Sequence, residues 1–433
     1  VYFQRFNDGI YKIENGKDVL VTNNDNIIDR IIINIFSYND NLLIQTQDYG
    51  IFLFDGNIIN EWEVSKKNNL SSFSVYNSIR LKNNDFAFGT ISKGLVYLSK
   101  EEIKFEINQK QGLLNNTVLS VFEDINNNIW LGLDNGINNL NINSPFKEYY
   151  DNEGLLGSVY TSALQNETLY LGTNQGLFYK KLYSNDSFKF INGTKGQVWS
   201  LKVIDNILFC GHNSGTFIVR NNLANKISDI QGVWDLKQVP NNPNLILQGD
   251  YNGLSVLERL NGNWRFRNKV RGFEISSRFF EFFNNYNVFV SHEYKGVFNL
   301  NISNDFKKVA DVKNENISKG LGSSLQKFDE KIYYAFKEGV FRYDFLTNKF
   351  IEDEDLTTLY DPTSYVSGKL MVDKQSNALF GLSNTHISFV STGKLSSKPN
   401  INKIYLPSSY INAHTRADHL LNQITHLVTR PIP

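Results

Sequence analysis

Apolar and polar residues alternate in short runs along most of the chain, and turn-forming residues separate these runs. Alternation with a period of two places successive side chains on opposite faces and is typical of β-strands. The clearest unit is an apolar run, a few turn residues, a glycine and a second apolar run, as in IWLGLDNGINNL from Ile129. Two strands joined by a tight turn form a β-hairpin. No long helical periodicity precedes residue 410, which disfavours a helical repeat protein.

This hairpin recurs ten times, and a fixed period predicts one structural unit used repeatedly. The turn glycines follow one another at intervals of 38 to 44 residues, and the tenth slot, 47 residues further on, holds His386. Glycine suits this slot because a tight hairpin needs a residue with positive φ. The nine glycines are Gly9, Gly50, Gly94, Gly136, Gly176, Gly215, Gly253, Gly296 and Gly339.

Apolar runs before and after each hairpin supply two further strands, so each repeat of about 42 residues predicts a four-stranded sheet. Sheets of this size and period are typical of β-propeller blades, of which a single propeller has about four to eight. We therefore expect an all-β chain with tandem β-propellers that are incomplete at the chain ends. A turn-rich stretch places the seam near residue 192, with a first propeller over 1–192 and a second over 193–411.

Composition agrees with an all-β chain that is rich in turns. The 433 residues include 58 Asn, 29 Gly and only 8 Pro, and Asn tolerates left-handed backbone conformations. Lys+Arg and Asp+Glu both number 44, and a zero net charge argues against a nucleic-acid-binding surface. The single cysteine, Cys210, excludes an internal disulfide framework. No stretch approaches the ~20 consecutive apolar residues of a membrane span.

Candidate ligand-binding residues lie at the start of the apolar run that precedes each hairpin. If this run is the innermost strand, its first residues line the central funnel, where propellers bind ligands. Aromatic rings stack on sugar faces and a guanidinium holds a carboxylate, so a carbohydrate or an anionic sugar would suit them. Ordinary packing between blades explains the same aromatic residues and stays open. The predicted residues are Tyr160, Trp199, Trp234, Arg278 and Ser323, with Asn77 and Asn116 in the first propeller.

No residue set predicts catalysis, a metal site or a cofactor. His212 and His292 each lie in one hairpin turn, as exposed tips, whereas zinc needs three or four converging ligands. The acidic run 352–355 lacks the spacing of a calcium loop and is interpreted as a solvated loop. Cys210 lies between apolar neighbours and is interpreted as a buried, inert thiol. We therefore predict no metal, no cofactor and no enzyme activity.

The fourth repeat resembles the two-component regulator propeller repeat. Its segment NNTVLSVFEDINNNIWLGLDNGINNLN runs from Asn115 to Asn141, and the other repeats keep only the hairpin half of the pattern. The matching positions are Asn116, Val118, Ser120, Glu123, Asp124, Asn128, Trp130, Gly132 and Gly136.

The longer order of segments resembles the sensor region of Bacteroidetes regulators of the hybrid two-component or LuxR type. That family has two seven-bladed propellers, a triple-tyrosine immunoglobulin-like domain, a membrane helix and a histidine kinase or helix-turn-helix output. The resemblance implies a periplasmic sensor fragment whose outer blades, membrane link and output lie outside this sequence. It also implies a small-molecule or oligosaccharide ligand and no nucleic acid at this segment, and it leaves a homodimer open.

Two other functions stay open: a protein-binding scaffold of the cell envelope and, third, a propeller-fold enzyme acting on polysaccharides. The tail, 412–433, fits neither propeller and has no aromatic residue or glycine. Leu420, Ile424 and Leu427 follow helical spacing there. The tail is interpreted as a short helix or as an artefact of the sequence end.

Overall fold

The computed structural model describes residues 1–142, 154–182, 184, 186–359, 365, 367–373, 378–391 and 401–405; the tail 412–433 lies outside them. In this part of the chain nearly every element is a β-strand, and the strands form ten antiparallel sheets, numbered here in chain order. Eight sheets have four strands, sheets 1 and 4 have three, and consecutive strands are always neighbours. Within these residues, no helix is both long and apolar enough to span a membrane.

The first compact unit, Val1–Asn152, contains sheets 1 to 4. A short helix, α1 (Glu63–Lys67), and two 3-10 turns, Leu70–Ser72 and Gln109–Gln111, lie between its strands. The strands are β1 (Tyr2–Arg5), β2 (Gly9–Glu14), β3 (Lys17–Thr22), β4 (Ile32–Tyr38), β5 (Asn41–Thr46), β6 (Ile51–Phe54), β7 (Ile59–Glu61), β8 (Val75–Arg80), β9 (Phe86–Thr90), β10 (Leu95–Ser99), β11 (Glu102–Ile107), β12 (Val118–Glu123), β13 (Asn128–Leu133) and β14 (Ile137–Asn141).

The second compact unit, Glu153–Pro433, contains sheets 5 to 10 and a four-residue helix, α2 (Glu354–Thr357). Its first twelve strands are β15 (Val159–Gln165), β16 (Thr168–Thr173), β17 (Leu177–Lys181), β18 (Lys189–Phe190), β19 (Val198–Ile204), β20 (Ile207–His212), β21 (Gly215–Arg220), β22 (Leu223–Ser228), β23 (Asp235–Val239), β24 (Asn242–Asp250), β25 (Gly253–Leu260) and β26 (Asn263–Val270). The remaining strands are β27 (Phe279–Phe282), β28 (Asn287–His292), β29 (Gly296–Ile302), β30 (Val309–Asn314), β31 (Ser324–Phe328), β32 (Lys331–Phe336), β33 (Gly339–Asp344), β34 (Lys349–Glu352), β35 (Met371–Asp373), β36 (Ala378–Leu382), β37 (His386–Ser391) and β38 (Asn402–Tyr405).

Positive φ angles mark the hairpin turns, as the glycine spacing predicts. All nine repeat glycines have φ between 77° and 147°. At Gly94 a side chain would also clash with the neighbouring strand, because a Cβ atom would lie 2.0 Å from the Ile107 carbonyl oxygen on the fourth strand. Asparagines such as Asn15 and Asn84 are 13 of the 21 described residues other than glycine that have a positive φ. The high Asn content is therefore explained by turns.

The first strands of successive sheets lie against one another. In the first unit β8 contacts β4 and β12, and in the second unit β15, β19, β23, β27, β31 and β35 contact in sequence. Hydrophobic cores lie between neighbouring sheets; one combines Leu43 of sheet 2 with Phe88 and Val96 of sheet 3. Four-stranded meanders that converge through their first strands are blades of a β-propeller. The predicted fold class is confirmed.

The chain divides between Asn152 and Glu153 into its two units. Sheets 5 and 6 therefore belong to one unit, and they share a hydrophobic core that includes Tyr170 and Val198. The sequence analysis places the seam between two propellers later in the chain, near residue 192. The assignment of blades to two successive propellers stays a prediction.

Candidate functional site

A β-bulge recurs near the start of the first strand in sheets 2 to 6. In each sheet two adjacent residues of the second strand pair with two residues of the first strand that are not adjacent. One extra residue of the first strand lies between them. A bulge leaves its extra residue outside the ladder and changes the direction of its side chain. The bulged residues are Ile33, Tyr76, Leu119, Tyr160 and Trp199.

The same position continues in sheets 7 to 9. In each of these sheets one residue of the first strand pairs with the last residue but one of the second strand. The residue directly before it is Trp234, Arg278 or Ser323. Tyr160 and Trp199 precede the matching residue in sheets 5 and 6. Five of the seven predicted residues therefore occupy one structural position, called here the bulge position, in five successive blades of the second unit, whereas Asn77 and Asn116 lie outside it.

Side chains at four of these five bulge positions form a continuous stack. The ring centroids of Tyr160 and Trp199 are 4.8 Å apart, and those of Trp199 and Trp234 are 4.7 Å apart. The guanidinium carbon of Arg278 lies 5.3 Å from the Trp234 ring centroid. The three aromatic side chains are half-buried and Arg278 is exposed, so the stack keeps a solvent-facing surface.

Tyr251 is a further member that the sequence analysis missed. Its ring meets the Trp234 ring edge to face, with centroids 5.2 Å apart, and its hydroxyl donates to Asn213 Oδ1 at 2.9 Å. Gly232 makes room for the ring, since a Cβ atom there would lie 2.2 Å from it. Tyr251 lies in a hairpin turn, so an argument from strand starts does not find it; an aromatic residue inside DYNG is the available signal. We call Tyr160, Trp199, Trp234, Tyr251 and Arg278 the aromatic stack.

Polar groups lie along the edge of the aromatic stack. Trp234 Nε1 donates to Ser276 Oγ at 3.0 Å. The Trp199 indole N–H is buried and, among the described residues, has no hydrogen-bond partner at normal geometry. Burial raises the pKa of the Tyr251 hydroxyl, which also feels the nearby Trp199 indole and Tyr160 phenol. Aromatic faces next to N–H and O–H groups suit a ligand with apolar faces and polar edges.

The remaining candidates do not belong to the aromatic stack. Ser323 is buried beside the Tyr334 hydroxyl, and it makes no hydrogen bond or ring contact with the stack in the described part of the chain. Asn77 Oδ1 accepts a backbone N–H of β12 at 3.3 Å, and Asn116 Oδ1 accepts one from the 109–111 turn at 2.8 Å. The two asparagines therefore join backbone segments.

Charged and polar side chains form a ladder across sheets 6 to 9; four of them lie three residues beyond the bulge position, and the fifth, Asp235, directly follows it. Lys202 Nζ lies 2.9 Å from Asp235 Oδ1 of the next blade, and Lys237 Nζ lies 3.4 Å from Asp235 Oδ2. Lys237 Nζ also lies 2.9 Å from Glu281 Oε1, to which Gln326 Nε2 donates at 3.2 Å. We call these five residues the ionic ladder. It uses the same first strands as the aromatic stack.

The centre of the ionic ladder is largely removed from solvent, whereas Lys202 at its end is 42% exposed. The exposed fractions of the Glu281, Asp235 and Lys237 side chains are 7%, 15% and 23%. Burial alone would lower the pKa of Lys237, but the charges of Glu281 and Asp235 outweigh it and raise that pKa. Burial opposes ionisation of Asp235 too, yet Lys202 and Lys237 lower its pKa. Because buried charges need partners, the ladder holds neighbouring first strands at a defined spacing.

The histidines accept hydrogen bonds within their own turns. His212 Nδ1 and His292 Nδ1 each accept the backbone N–H two residues further on, at 2.9 Å and 3.2 Å. Thr173 Oγ1 and Asp250 Oδ1 make the same contact in sheets 5 and 7. His212 is 2% exposed, so the expectation of an exposed turn tip is wrong for it, and burial lowers its pKa. The turn needs an acceptor here, which explains both histidines without a metal.

The described residues offer no group of three or more His, Cys, Asp or Glu side chains that could hold a metal ion. Cys210 is fully buried, as predicted, and burial raises the pKa of its thiol, which disfavours the reactive thiolate. The acidic run 352–355 is not simply a loop. Asp353 Oδ1 accepts the Leu356 N–H at 3.0 Å and caps α2, so the run begins a helical turn.

The residues that carry the repeat pattern in sheet 4 stabilise a hairpin turn. Asp124 Oδ2 accepts Trp130 Nε1 at 2.9 Å and Asn128 Nδ2 at 3.0 Å, and Oδ1 accepts two backbone N–H groups. These bonds, led by that of Trp130, lower the pKa of Asp124 to about 2. Gly132 leaves space for Ser120, because a Cβ atom would lie 2.3 Å from Ser120 Oγ. The pattern thus describes blade construction.

A family model described as "two component regulator propeller" matches residues 112–135. The match confirms the resemblance of the fourth repeat. No curated protein sequence matches the chain.

Solved structures with a similar fold include extracellular domains of bacterial regulators. That of the hybrid two-component system BT3049 from B. thetaiotaomicron has a TM-score of 0.59 and 16% identity, covering 93% of this chain and 55% of that one. That of the one-component system BT4673 from the same organism has a TM-score of 0.43 and 13% identity, covering 93% and 58%. The WD40 β-propeller domain of Doa1 has a TM-score of 0.33 and 12% identity, covering 72% and 92%. This chain thus spans little more than half the length of the first two.

Proposed function

We propose that this chain is the extracytoplasmic ligand-sensing region of a membrane-linked bacterial regulator and that its ligand is a carbohydrate. The observation that carries the proposal is the aromatic stack, in which Tyr160, Trp199 and Trp234 come from three successive blades. The propeller repeat at residues 112–135 and the fold shared with an extracellular domain of a hybrid two-component system support the setting.

The aromatic stack has the chemistry that sugars require. A pyranose ring presents a face of C–H groups and an edge of hydroxyls. Aromatic faces cover the first, and burying apolar area contributes roughly 25 cal/mol per Å². The Tyr251 hydroxyl stands beside these faces to meet the hydroxyl edge.

Sensing follows from the fact that several blades share one site. A sugar that touches Trp199 of sheet 6 and Trp234 of sheet 7 together binds best when the first strands of these two blades stand at the spacing that the ionic ladder sets. Such a ligand has different affinities for two arrangements of the blades and shifts the population toward one of them. A region outside this sequence would transmit that shift to an output.

The proposal is tested by thermal unfolding of the chain against a broad panel of oligosaccharides. One class of sugar should raise the unfolding temperature by several degrees, as expected when ligand exceeds its dissociation constant about 100-fold. Trp199→Ala and Trp234→Ala should abolish the rise. Tyr76→Ala, at the bulge position of the first unit and 51% exposed, is the matched control and should retain it. A panel without any shift contradicts the proposal.

A protein-binding scaffold is the second candidate function. Sheet 4 exposes a patch of large apolar side chains, with Phe122 65%, Ile125 90% and Trp130 43% exposed. Contiguous exposed apolar patches are typical of protein interfaces. Loss of a specific partner on Phe122→Ser, with no response to any sugar, would favour this function. Cleavage products from the oligosaccharide panel would instead favour a polysaccharide-active enzyme.

A further inference from the structure

Two cationic side chains are held next to each other where the outer edges of sheets 7 and 8 meet. Arg271 directly follows β26, Lys308 directly precedes β30, and the two form an isolated parallel bridge. Arg271 N donates to the Lys307 carbonyl at 2.9 Å, and Val309 N donates to the Arg271 carbonyl at 2.8 Å. Strands bridged in this way are about 5 Å apart. The backbone therefore fixes the two positive residues as neighbours.

Arg267 and Lys307 extend this region along both outer strands. The Arg267 guanidinium donates to Asn268 Oδ1 at 2.8 Å and also to the Asp305 carbonyl, which ties it to the β29–β30 turn. Lys307 Nζ lies 3.8 Å from Asp305 Oδ2 in a pair that is exposed on both sides. We call Arg267, Arg271, Lys307 and Lys308 the cationic seam.

The cationic seam has more positive side chains than acidic partners. Among the described residues, the side chains of Arg271 and Lys308 form no ion pair, and both are exposed. Like charges in neighbouring positions destabilise a sheet. Nearby cations on the same outer strands are neutralised instead: Arg265 pairs with Glu258, Lys269 with Asp250 and Lys313 with Glu315.

Apolar side chains beside the cationic seam face inward. Phe306 is 2% exposed, and Val309 packs against the core between sheets 7 and 8. Surfaces that bind membranes combine cations with apolar groups that enter the lipid. Among the described residues of these two outer strands, Val312 is the one large apolar side chain that is exposed, at 43%, against four cations, which favours a soluble polyanion over a lipid surface.

We propose that the cationic seam binds an acidic polysaccharide through its carboxylate or sulfate groups. Guanidinium groups bind such oxyanions with paired hydrogen bonds, and ammonium groups add point charges. Four cations along two outer strands match an extended polymer with repeated anions. This site uses the outer strands of sheets 7 and 8, whereas the aromatic stack uses first strands, so it is independent of the proposed sensing site.

The test measures binding of the whole chain to dextran sulfate and polygalacturonate, with uncharged dextran as the neutral polymer. Binding to the acidic polymers should weaken as salt rises. Arg271→Gln together with Lys308→Gln should reduce affinity about tenfold and flatten the salt dependence. Arg265→Gln together with Lys313→Gln removes the same charge from paired positions and should change affinity less than about twofold. Trp199→Ala should leave this binding unchanged.

Three outcomes overturn the proposal. Equal affinity of the two double variants would show that total charge, not the seam, governs binding. Equal binding of neutral dextran would exclude recognition of anions. Binding to vesicles containing phosphatidylglycerol, without binding to either acidic polymer, would assign the seam to a membrane surface. Circular dichroism of each variant confirms that the blades remain folded.

Discussion

The two units place different chemistry at the same two positions of a blade's first strand. At the bulge position the first unit has Ile33, Tyr76 and Leu119, and the second has Tyr160, Trp199, Trp234, Arg278 and Ser323. Three residues further on, the first unit has Phe36, Ile79 and Phe122, and sheets 6 to 9 of the second have Lys202, Lys237, Glu281 and Gln326. One backbone register thus supports apolar contacts in one unit and ionic contacts in the other.

The difference lies in how tightly neighbouring strands are positioned. In the first unit Phe36 meets Phe86 of the next blade at a centroid distance of 5.4 Å, and Ile79 packs against the core that contains Val121. Hydrophobic contacts of this kind are non-directional and tolerate small displacements. Ion pairs with hydrogen-bond geometry define distances. A binding surface assembled from several blades needs the second kind of contact.

The largest expected effect comes from breaking the ionic ladder. Lys237→Ala leaves Asp235 and Glu281 buried without their shared cation, which should lower the free energy of unfolding by about 3–5 kcal/mol. Ile79→Ala, at the equivalent position of the first unit, removes only apolar contact and should cost less, about 2 kcal/mol. Urea unfolding of both variants measures the difference. An equal loss of unfolding free energy in both variants would show that neighbouring blades are held together in the same way within each unit.

A crowded glycine sharpens the role of Tyr251. Gly232→Ala places a methyl group 2.2 Å from the Tyr251 ring at φ 69°, so the ring should leave Trp234 and the near-ultraviolet circular dichroism should change. The expected loss of stability is about 2–3 kcal/mol. Gly262→Ala is the control, since it has φ 81° and nothing within 4 Å. It should cost only about 1 kcal/mol and leave the stack intact.

Acid should open the sheet 4 turn before it affects the aromatic stack. The folded-state pKa of Asp124 is about 2 and its ordinary value is 3.8. The carboxylate therefore contributes stability that is fully present above about pH 4 and is lost as the pH falls toward 2. Trp130, its partner, should change its fluorescence in that window, and Asp124→Asn should remove the transition. A transition that persists in the variant would assign it to another group.

The smallest effect is expected at the bulge position of the first unit. Tyr76 is 51% exposed, so Tyr76→Ala should change the free energy of unfolding by less than about 0.5 kcal/mol. Trp199→Ala removes a half-buried ring with two aromatic neighbours and should cost about 2–3 kcal/mol. A pair of thermal melts checks the contrast. Similar losses of stability in the two variants would show that the bulge position has the same role in both units.

Much of the fold and part of the site follow from local rules. Alternation predicts the strands, and the need for a positive φ explains the glycine in nine of the ten repeat hairpins. Repetition then identifies equivalent positions, which is why four of the seven residues predicted at strand starts lie in the aromatic stack. Ser323 obeys the same register and yet is buried beside Tyr334, because its small side chain does not reach out of the core.

The remainder depends on contacts between residues far apart in the chain. His212 is interpreted from sequence as an exposed tip, but the turn draws its ring inward as a hydrogen-bond acceptor. Tyr251 joins the stack from a turn because Gly232, 19 residues earlier in the chain, leaves space for its ring. The pairing of Lys237 with Glu281 spans 44 residues and follows from the approach of two blades.

The sequence by itself determines the strands, their turns and the period, since these depend on alternation and backbone conformation within a few residues. Tertiary structure alone decides which of those positions touch. Neighbouring first strands bring side chains about 40 residues apart to within hydrogen-bond or stacking distance. Burial between blades then makes charges depend on their partners. For this reason four members of the aromatic stack could be predicted from the repeat, whereas Tyr251, the ionic ladder and the cationic seam required the folded chain.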